Sequence, residues 1–283
     1  MNIQEFAYKS KGFPELLASI ASPPKIIYCL GNIPDLPMVA IVGTRKPSIY
    51  GEQTTYRLAY ELASAGICIV SGLAYGIDAI AHKAALEAEG KVVAVLGTPL
   101  DTIYPASNRN LAKRILSNNG AIISEYAVGS KTQRFNFPAR NRIISGLSIA
   151  TIITEADAKS GSLITANFAI NNDRLVMAIP GNINSPRSAG PNNLIKLGAK
   201  LITGATDVLA ELELKSNIIK TNKIAPASKE EAMIVELIEN GHNNMQAIID
   251  HSDFDAQQLA HVLSLMEITG KIRNLGAGQW IVN

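Results

Sequence analysis

Residues 134–142, RFNFPARNR, hold three arginines, two phenylalanines and two asparagines within nine positions, and no acidic residue. The apolar pair Ile143–Ile144 follows directly. Guanidinium groups bind phosphate oxygens, and aromatic rings stack on unpaired bases. The segment therefore carries the side chains that a chain of nucleotides would need, and the apolar pair indicates that it is anchored in the protein core.

Small residues stand where the predicted strands end. Backbone N–H groups of such loops, at the start of a helix, can hold phosphate oxygens. A single loop of this kind is explained equally well as a plain turn, whereas several at one edge of a sheet favour a phosphate-binding edge. The loops are Gly43-Thr44-Arg45, Ser71-Gly72, Gly97-Thr98, Lys159-Ser160-Gly161-Ser162 and Pro180-Gly181-Asn182.

Apolar, largely β-branched runs alternate with stretches of helical periodicity between residues 38 and 179. The runs are nearly continuous, which is typical of strands buried on both faces, and their order predicts an open, mostly parallel α/β sheet. The predicted strands are 38–42, 67–70, 92–96, 121–123, 149–153 and 175–179, and the predicted helices are Gln53–Ala65, Ile77–Glu89, Asn108–Ser117 and Leu163–Asn171.

The motifs of several nucleotide sites and enzymes are missing from the chain. It contains no GxxxxGK[ST], no GxGxxG after a strand, and no GxSxG, HExxH or CxxC. Asp78 and His82 share a helix face, and we favour a capping acid and a hydrogen-bonded histidine over catalysis. Glu155, Asp157 and Asp173 have no recognised metal-ligand spacing. We therefore expect no metal, no cofactor and no catalytic residue.

The charges are distributed unevenly over the 283 residues, whose net charge is +2. Residues 226–283 hold three Lys or Arg and eight Asp or Glu, a net of −5, which leaves +7 for residues 1–225. Residues 131–200 hold nine basic and three acidic residues, a net of +6. A basic body of this kind indicates a polyanionic partner.

The composition is that of an ordinary globular protein, 47% hydrophobic and 18% charged. No apolar run approaches the roughly 18 residues of a membrane span. Cys29 and Cys68 lie inside apolar runs and are typical of small core residues in a reducing compartment. We expect a cytoplasmic protein with no membrane contact.

Both ends of the chain differ from its centre. The polar stretch 214–228 predicts a linker, and 229–283 follows with three helices and a β-hairpin, the order of a winged-helix domain. The predicted recognition helix, near 255–268, has no Lys or Arg, and Lys271 and Arg273 are the cations of the predicted wing. We infer a protein-interaction or regulatory module. Residues 1–37 form a short N-terminal segment, with a helix at Phe13–Ile20 and a strand at Ile26–Leu30.

The central part of the chain closely resembles the DNA-processing protein DprA (Smf) family, and the match covers almost all of residues 38–210. The segments that carry the resemblance are VAIVGTRKPSIYG (39–51), SGLAYGIDAIAHKAAL (71–86), VVAVLGTPLDTIYPASNRNL (92–111), SEY (124–126), FPARNRIISGLS (137–148), TEADAKSGSLITANFA (154–169), AIPGNI and GPNNLIKLGA (178–199).

The resemblance implies an extended Rossmann-like domain, at residues 38–213, that binds single-stranded DNA without sequence preference. It implies a role in natural transformation, in which the protein protects incoming strands and loads the RecA recombinase. It also implies a homodimer formed through the Rossmann-like domain, with no cofactor and no established catalysis. Many members begin with a SAM-like domain, which is reduced or missing in residues 1–37.

The resemblance also assigns DNA-binding positions. One of them, Tyr75, stands where the family often has arginine, so a positive charge is missing and a ring that could stack on a base is present. Lys159 would be a central phosphate contact. The full set is Gly43, Thr44, Arg45, Ser71, Gly72, Tyr75, Arg134, Phe137, Arg140, Asn141, Lys159, Ser160, Gly161 and Ser162.

Within 134–142 we treat the backbone as extended, so that Arg140 and Arg142 point the same way. We place Arg134 and Arg140 on the DNA-facing rim, and Asn141 and Arg142 on the polar floor. An ion pair of either Arg140 or Arg142, for instance to Glu155 or Asp78, stays an alternative. Phe135 and Phe137 share a face, and we do not expect both to stack on bases.

An enzyme is the competing interpretation. Phosphoribohydrolases on a related fold cleave nucleotide glycosidic bonds with a PGGxGTxxE loop. The corresponding stretch here, ADAKSGSLITA at 156–166, lacks the double glycine and the glutamate. This absence favours DNA binding.

Overall fold

The computed structural model describes residues 3–213, 228–252, 254–269, 271–276 and 278–282. The chain divides into two compact units, Met1–Ile218 and Ile219–Asn283. The predicted linker, 214–228, lies outside the described residues except for Ser228, whose side chain caps the helix that follows.

The first unit is built on one nine-stranded sheet. Its strands are β1 (Gln4–Ala7), β2 (Ile26–Gly31), β3 (Met38–Val42), β4 (Cys68–Ser71), β5 (Val92–Leu96), β6 (Ala121–Ser124), β7 (Ala150–Ile153), β8 (Leu175–Ala178) and β9 (Lys200–Leu201). Its helices are α1 (Glu15–Ala18), α2 (Ile49–Ser64), α3 (Ile77–Glu87), α4 (Arg109–Ser117), α5 (Asn136–Leu147), α6 (Ser162–Asn171), α7 (Ala189–Lys196) and α8 (Ala205–Glu211).

The strand order is β1-β2-β6-β5-β4-β3-β7-β8-β9. Every pairing from β6 to β9 is parallel, and β1 and β2 are antiparallel to their neighbours. The predicted open, mostly parallel, Rossmann-like sheet is confirmed. The chain leaves β3 toward β4 on one side and later returns to pair β7 on the other, so the order reverses between β3 and β7. Ligands bind at such reversals in α/β sheets, outside the carboxyl ends of the strands.

Alternate residues of the central strands enter two separate cores. Val39 and Ile41 of β3 face the core under α2 and α3, whereas Ala40 and Val42 face the core under α5 and α6. Helices therefore cover both faces, which explains why each of these strands is a continuous apolar run and not an alternating one. All five residues of β3 and of β5 are buried.

Two sequence expectations are corrected by this unit. We placed residues 1–37 in a separate N-terminal segment, but β1 and β2 extend the same sheet, and the boundary at residue 38 does not separate two bodies. We treated 134–142 as extended, but α5 begins at Asn136. Pro138 sits in the first turn, where a helix does not need its N–H, and this was the available sign of a helix start.

The second unit contains α9 (Lys229–Glu239), α10 (Met245–Asp250), α11 (Ala256–Ile268), β10 (Ile272–Gly276) and β11 (Gln279–Val282). β10 and β11 form an antiparallel hairpin, so the element order is the predicted one. Lys271 is buried and ion-paired with Glu231 at 2.5 Å, so its charge is balanced within this unit. The winged-helix assignment stays a prediction.

No helix among the residues described is long and apolar enough to cross a membrane.

Candidate nucleic-acid interface

A cavity of about 790 Å³ opens where the strand order reverses, at the carboxyl ends of β3 and β7. Loops that follow both strands line it, together with the first turns of α5 and α6 and residues 186–187. The cavity brings together Gly43, Thr44, Arg45, Phe137, Arg140, Asn141, Ser160, Gly161 and Ser162 from the predicted set. Ser71, Gly72, Tyr75, Arg134 and Lys159 do not line it.

The loop after β3 is held against its neighbours by backbone contacts. The Thr44 N–H donates to the Glu155 carbonyl at 2.7 Å, and the Thr44 carbonyl accepts from the Ile77 N–H at 3.2 Å. Gly76 has φ of +70°, and a Cβ there would lie 2.5 Å from the Thr44 carbonyl oxygen. This close approach fixes the loop, while the side chains of Arg45 and Lys46 stay exposed at the cavity wall.

Glu155 stabilises this same loop instead of pairing with an arginine. Its buried carboxylate accepts from the Ser48 N–H at 2.8 Å and from the Ser48 hydroxyl at 2.5 Å. The Ser48 hydroxyl in turn accepts from the Gly51 N–H and caps α2. Because both carboxylate oxygens are occupied, Glu155 is a structural acid.

Arg140 forms the cavity floor, which corrects its predicted place on the rim. Its side chain is buried, and Nη1 donates to the Gly72 carbonyl at 2.8 Å and to the Val95 carbonyl. Burial lowers the pKa of Arg140 to about 10, against the opposing effect of the Asp78 charge. The guanidinium thus ties α5 to the ends of β4 and β5.

Asp78 lies beside Arg140 across Gly72, but its carboxylate is not within ion-pair distance of the guanidinium, so the ion pair that we gave as an alternative is not formed. Its carboxylate accepts from the Gly72 N–H at 3.0 Å and the Ala74 N–H at 3.4 Å, both in the loop before α3. It does not cap the helix as we predicted, because the N-cap of α3 is Gly76, without a side-chain hydrogen bond. Burial raises the pKa of Asp78, while the Arg140 charge and these hydrogen bonds lower it. A Cβ on Gly72 would lie 2.6 Å from Arg140 Nη2, so only glycine fits between the two groups.

Arg142 lies on a different flank of α5. It pairs with Glu125 at 2.5 Å, and it does not line this cavity, so neither Glu155 nor Asp78 is its partner. Asn141 does line the cavity. Its amide donates to the Gly161 carbonyl at 3.2 Å and its oxygen accepts from Arg140 Nε at 3.3 Å, which links the floor to the loop after β7.

The start of α6 supplies the opposite wall. Gly161 occupies the N-cap position without a side-chain cap, and the Ser160 and Ser162 hydroxyls lie 2.8 Å apart. The positive end of the helix dipole therefore faces the cavity with two hydroxyl groups beside it. Lys159 is exposed between Asp157 and Ser160, both of which line the cavity, and this places it at the rim.

An aromatic pair stands at the mouth. Phe137 lines the cavity, and its ring centroid lies 5.3 Å from that of Tyr104 at an interplanar angle of 56°. Phe135 is 67% exposed but lies outside the cavity lining, so the two phenylalanines do not serve the same place. Tyr104 was not predicted, because it belongs to a loop 33 residues earlier in the chain.

Two further cations escaped the sequence prediction. Lys46 and Arg187 both line the cavity, and Arg187 Nε donates to the Lys46 carbonyl at 2.8 Å. Lys46 could have been predicted, because it directly follows Arg45 in the sequence. Arg187 had no local sign beyond the basic excess of residues 131–200.

The remaining predicted residues lie behind or outside the cavity. Ser71 is buried, and its hydroxyl donates to the Ile41 carbonyl at 2.7 Å, so its contribution is to the shape of the floor. Tyr75 is 49% exposed and Arg134 is also exposed, both outside the lining. No group of three or more His, Cys, Asp and Glu side chains in the described ranges is placed to hold a metal ion.

His82 lies beneath the floor, fully buried, and neither ring nitrogen has a hydrogen-bond partner in the described part of the chain. The Ser71 backbone is the polar group that acts on the ring, at a geometry outside normal hydrogen-bond limits. Burial, with a further contribution from the Arg140 charge, lowers the pKa of His82 to about 3, and the Ser71 backbone opposes this.

This histidine predicts a pH dependence of stability. The unfolded chain binds a proton at His82 below the ordinary histidine pKa of 6.5, whereas the folded chain does so only near 3. The free energy of unfolding should therefore fall as pH drops through this window, by about 1.4 kcal/mol per unit from this group. Urea unfolding of the wild type and of His82→Asn between these pH values measures it. Equal slopes for the two proteins would contradict the prediction.

A known protein family matches most of the first unit. The model of the family described as DNA recombination-mediator protein A matches residues 4–213. The chain belongs to this family. The resemblance to DprA (Smf) is thereby confirmed, and the match begins within β1, in agreement with the sheet.

Relatives of the DNA recombination-mediator family share long stretches with this chain. Protein Smf of Synechocystis is 47% identical over 206 residues, which cover 71% of this chain and 52% of the relative. The DNA processing protein DprA of Streptococcus pneumoniae is 45% identical over 203 residues, 71% of each chain. The chain thus spans about half the length of the Synechocystis relative.

Two solved structures of the family share the fold. DNA processing protein A of Streptococcus pneumoniae matches with a TM-score of 0.70 and 42% identity over 74% of each chain. The Helicobacter pylori protein matches with a TM-score of 0.67 and 35% identity, over 75% of this chain and 95% of its own.

Proposed function

We propose that this protein binds single-stranded DNA, without sequence preference, in the cavity at the strand reversal. One observation carries the proposal: exposed Arg45 and Lys46, Arg187 and the ring of Phe137 surround a single cavity. Cations and helix N-termini contact phosphates, and a ring stacks on any base, at roughly 1–3 kcal/mol per base. The related Helicobacter pylori structure is described by its single-stranded DNA binding mode, which supports the proposal.

The electrostatics of the cavity favour an anion. Burial and, to a lesser extent, the Arg45 charge lower the pKa of Arg140, so two like charges lie near each other at the cavity. Asp78 accepts hydrogen bonds from backbone N–H groups and lies beside Arg140. Asp157 is therefore the exposed acidic residue of the lining. A phosphate would relieve the repulsion between the two arginines.

Membership in the family supports a cellular role. We infer that the protein acts in the cytoplasm during natural transformation, protects incoming single strands and loads the RecA recombinase on them. A homodimer through the Rossmann-like unit belongs to the same proposal. The edge strand β9 is compatible with such an interface, because Leu201 and the nearby Leu197 are both exposed.

We infer no catalytic activity. Two acids near the cavity have structural roles, since Glu155 holds Ser48 and Asp78 holds the loop after β4, which leaves Asp157 as the exposed acid of the lining. His82 is buried below the floor and does not line the cavity. Release of free base from nucleoside monophosphates by the purified protein would favour the phosphoribohydrolase alternative instead.

The test is binding of fluorescent oligo-dT and of a duplex of equal length across a salt series. The single strand should bind more tightly, and the logarithm of its binding constant should fall with a slope of about −0.7 per contacted phosphate on a logarithmic salt scale. Tighter binding of the duplex would overturn the proposal.

A truncated chain provides the control. The acidic unit has a net charge of −5 over 226–283, so phosphates should repel it. Removal of those residues should leave oligo-dT affinity unchanged or raise it. Loss of binding in the truncated protein would move the DNA site to the second unit.

A further inference from the structure

A second cavity, of about 540 Å³, lies at the same edge of the sheet. It is lined by residues at the start of β2, by residues that follow β6, and by Arg142 of α5. β2 is antiparallel to β6, with Tyr28 opposite Ser124, so the start of β2 lies beside the end of β6. β5 and β4 lie between β6 and β3 in the sheet, and Arg140 of the first cavity bonds to carbonyls at the ends of both strands.

The second cavity has the same kinds of side chains as the first. Lys25 and Arg142 supply positive charge, and Tyr28 and Tyr126 supply rings. The acid of the lining, Glu125, is already paired with Arg142 at 2.5 Å, and Lys25 is exposed. Such cations bind phosphate groups, and such rings stack on bases.

An exposed basic segment connects the two cavities. Ser130 lines the second cavity and Phe137 lines the first. All five residues between 131 and 135 are exposed, among them Lys131, Arg134 and Phe135. No acidic residue occurs from 126 to 142, so a polyanion meets no like charge from this stretch of chain. Arg134 belongs to this connecting segment, and for that reason it lies outside the first cavity.

We propose that the second cavity holds further nucleotides of the same single strand that occupies the first. The strand passes along 131–135, where its phosphates meet Lys131 and Arg134, and a base stacks on Tyr126 in the second cavity. This inference rests on the proposed function of the first cavity. It assigns Lys25 as a phosphate contact and Tyr126 as a stacking residue.

A length series tests the inference in the full chain. Fluorescent oligo-dT from about four to about sixteen nucleotides covers the site sizes of known single-strand binding folds. Wild-type affinity should increase between the short strands, which fill one cavity, and the long strands, which reach both. Lys25→Glu and Tyr126→Ala should each weaken binding of the longest strand by about tenfold and leave that of the shortest within about twofold.

Lys113→Glu is the matched control, because Lys113 is an exposed lysine of α4 outside both cavities. It should leave the whole length series unchanged. Normal binding of short strands, with the same length dependence in wild type, Lys25→Glu and Tyr126→Ala, would overturn this inference alone. Failure of wild type to bind any strand would overturn the proposed function itself.

Discussion

Arg45→Glu is expected to weaken oligo-dT binding by about 10- to 100-fold, which is about 1.4 to 2.8 kcal/mol of binding free energy. Arg45 is an exposed guanidinium of the cavity wall, and the change replaces a phosphate contact by a like charge. Fluorescence anisotropy at one fixed salt concentration gives the affinities. The variant Arg45→Ala should in addition reduce the salt slope by about one contact.

The same variant should not destabilise the fold. Burial is the main cause of the lowered pKa of Arg140, and the Arg45 charge lowers it further, so a carboxylate at position 45 removes an unfavourable interaction. Thermal unfolding should give a melting temperature equal to or above that of wild type. Unchanged affinity, or weakened affinity together with partial unfolding, would contradict the assignment of Arg45 to the binding wall. Lys113→Glu again controls for the change in net charge.

In contrast to Arg45→Glu, Arg140→Met is expected to cause a large loss of stability. Removal of a buried charge that balances a neighbouring one costs at most the roughly 3–5 kcal/mol of a buried ion pair, because the remaining charge is left uncompensated. Here Asp78 would keep a buried carboxylate without Arg140, and the carbonyls of Gly72 and Val95 would lose a donor. Urea unfolding followed by circular dichroism measures the change.

A double variant separates the charge from the packing. Asp78→Asn combined with Arg140→Met removes both charges, so it should be more stable than Arg140→Met alone. Destabilisation of less than about 1 kcal/mol by Arg140→Met would show that the arginine is not a structural member of the floor. Its predicted place on the DNA-facing rim would then regain support.

Much of the first unit was determined by the sequence alone. The six central strands lie within one or two residues of their predicted positions, because a strand buried on both faces must be apolar at nearly every position. Parallel strands end at one edge, so the small residues after β3 and β7 had to meet there. Gly43, Thr44 and Arg45 therefore face Ser160, Gly161 and Ser162, as expected.

The tertiary structure decided which side chains of RFNFPARNR line the cavity. On an extended segment Arg140 and Arg142 would point the same way, but on α5 they lie on different flanks, because a helix turns about 100° per residue. Arg140 becomes a floor residue, because packing brings Asp78, 62 positions earlier, beside it.

The sequence also could not predict which residues from distant parts of the chain meet at the cavity. Arg187 reaches the cavity, and Tyr104 reaches the ring of Phe137, from loops that carry no local pattern, because their positions depend on how β5 and β8 are ordered in the sheet. The sequence determined the chemistry available at this edge, since residue types and strand ends are local properties. Only the packed structure decided which charges are exposed to a ligand and which are buried, since burial depends on contacts between residues far apart in the chain.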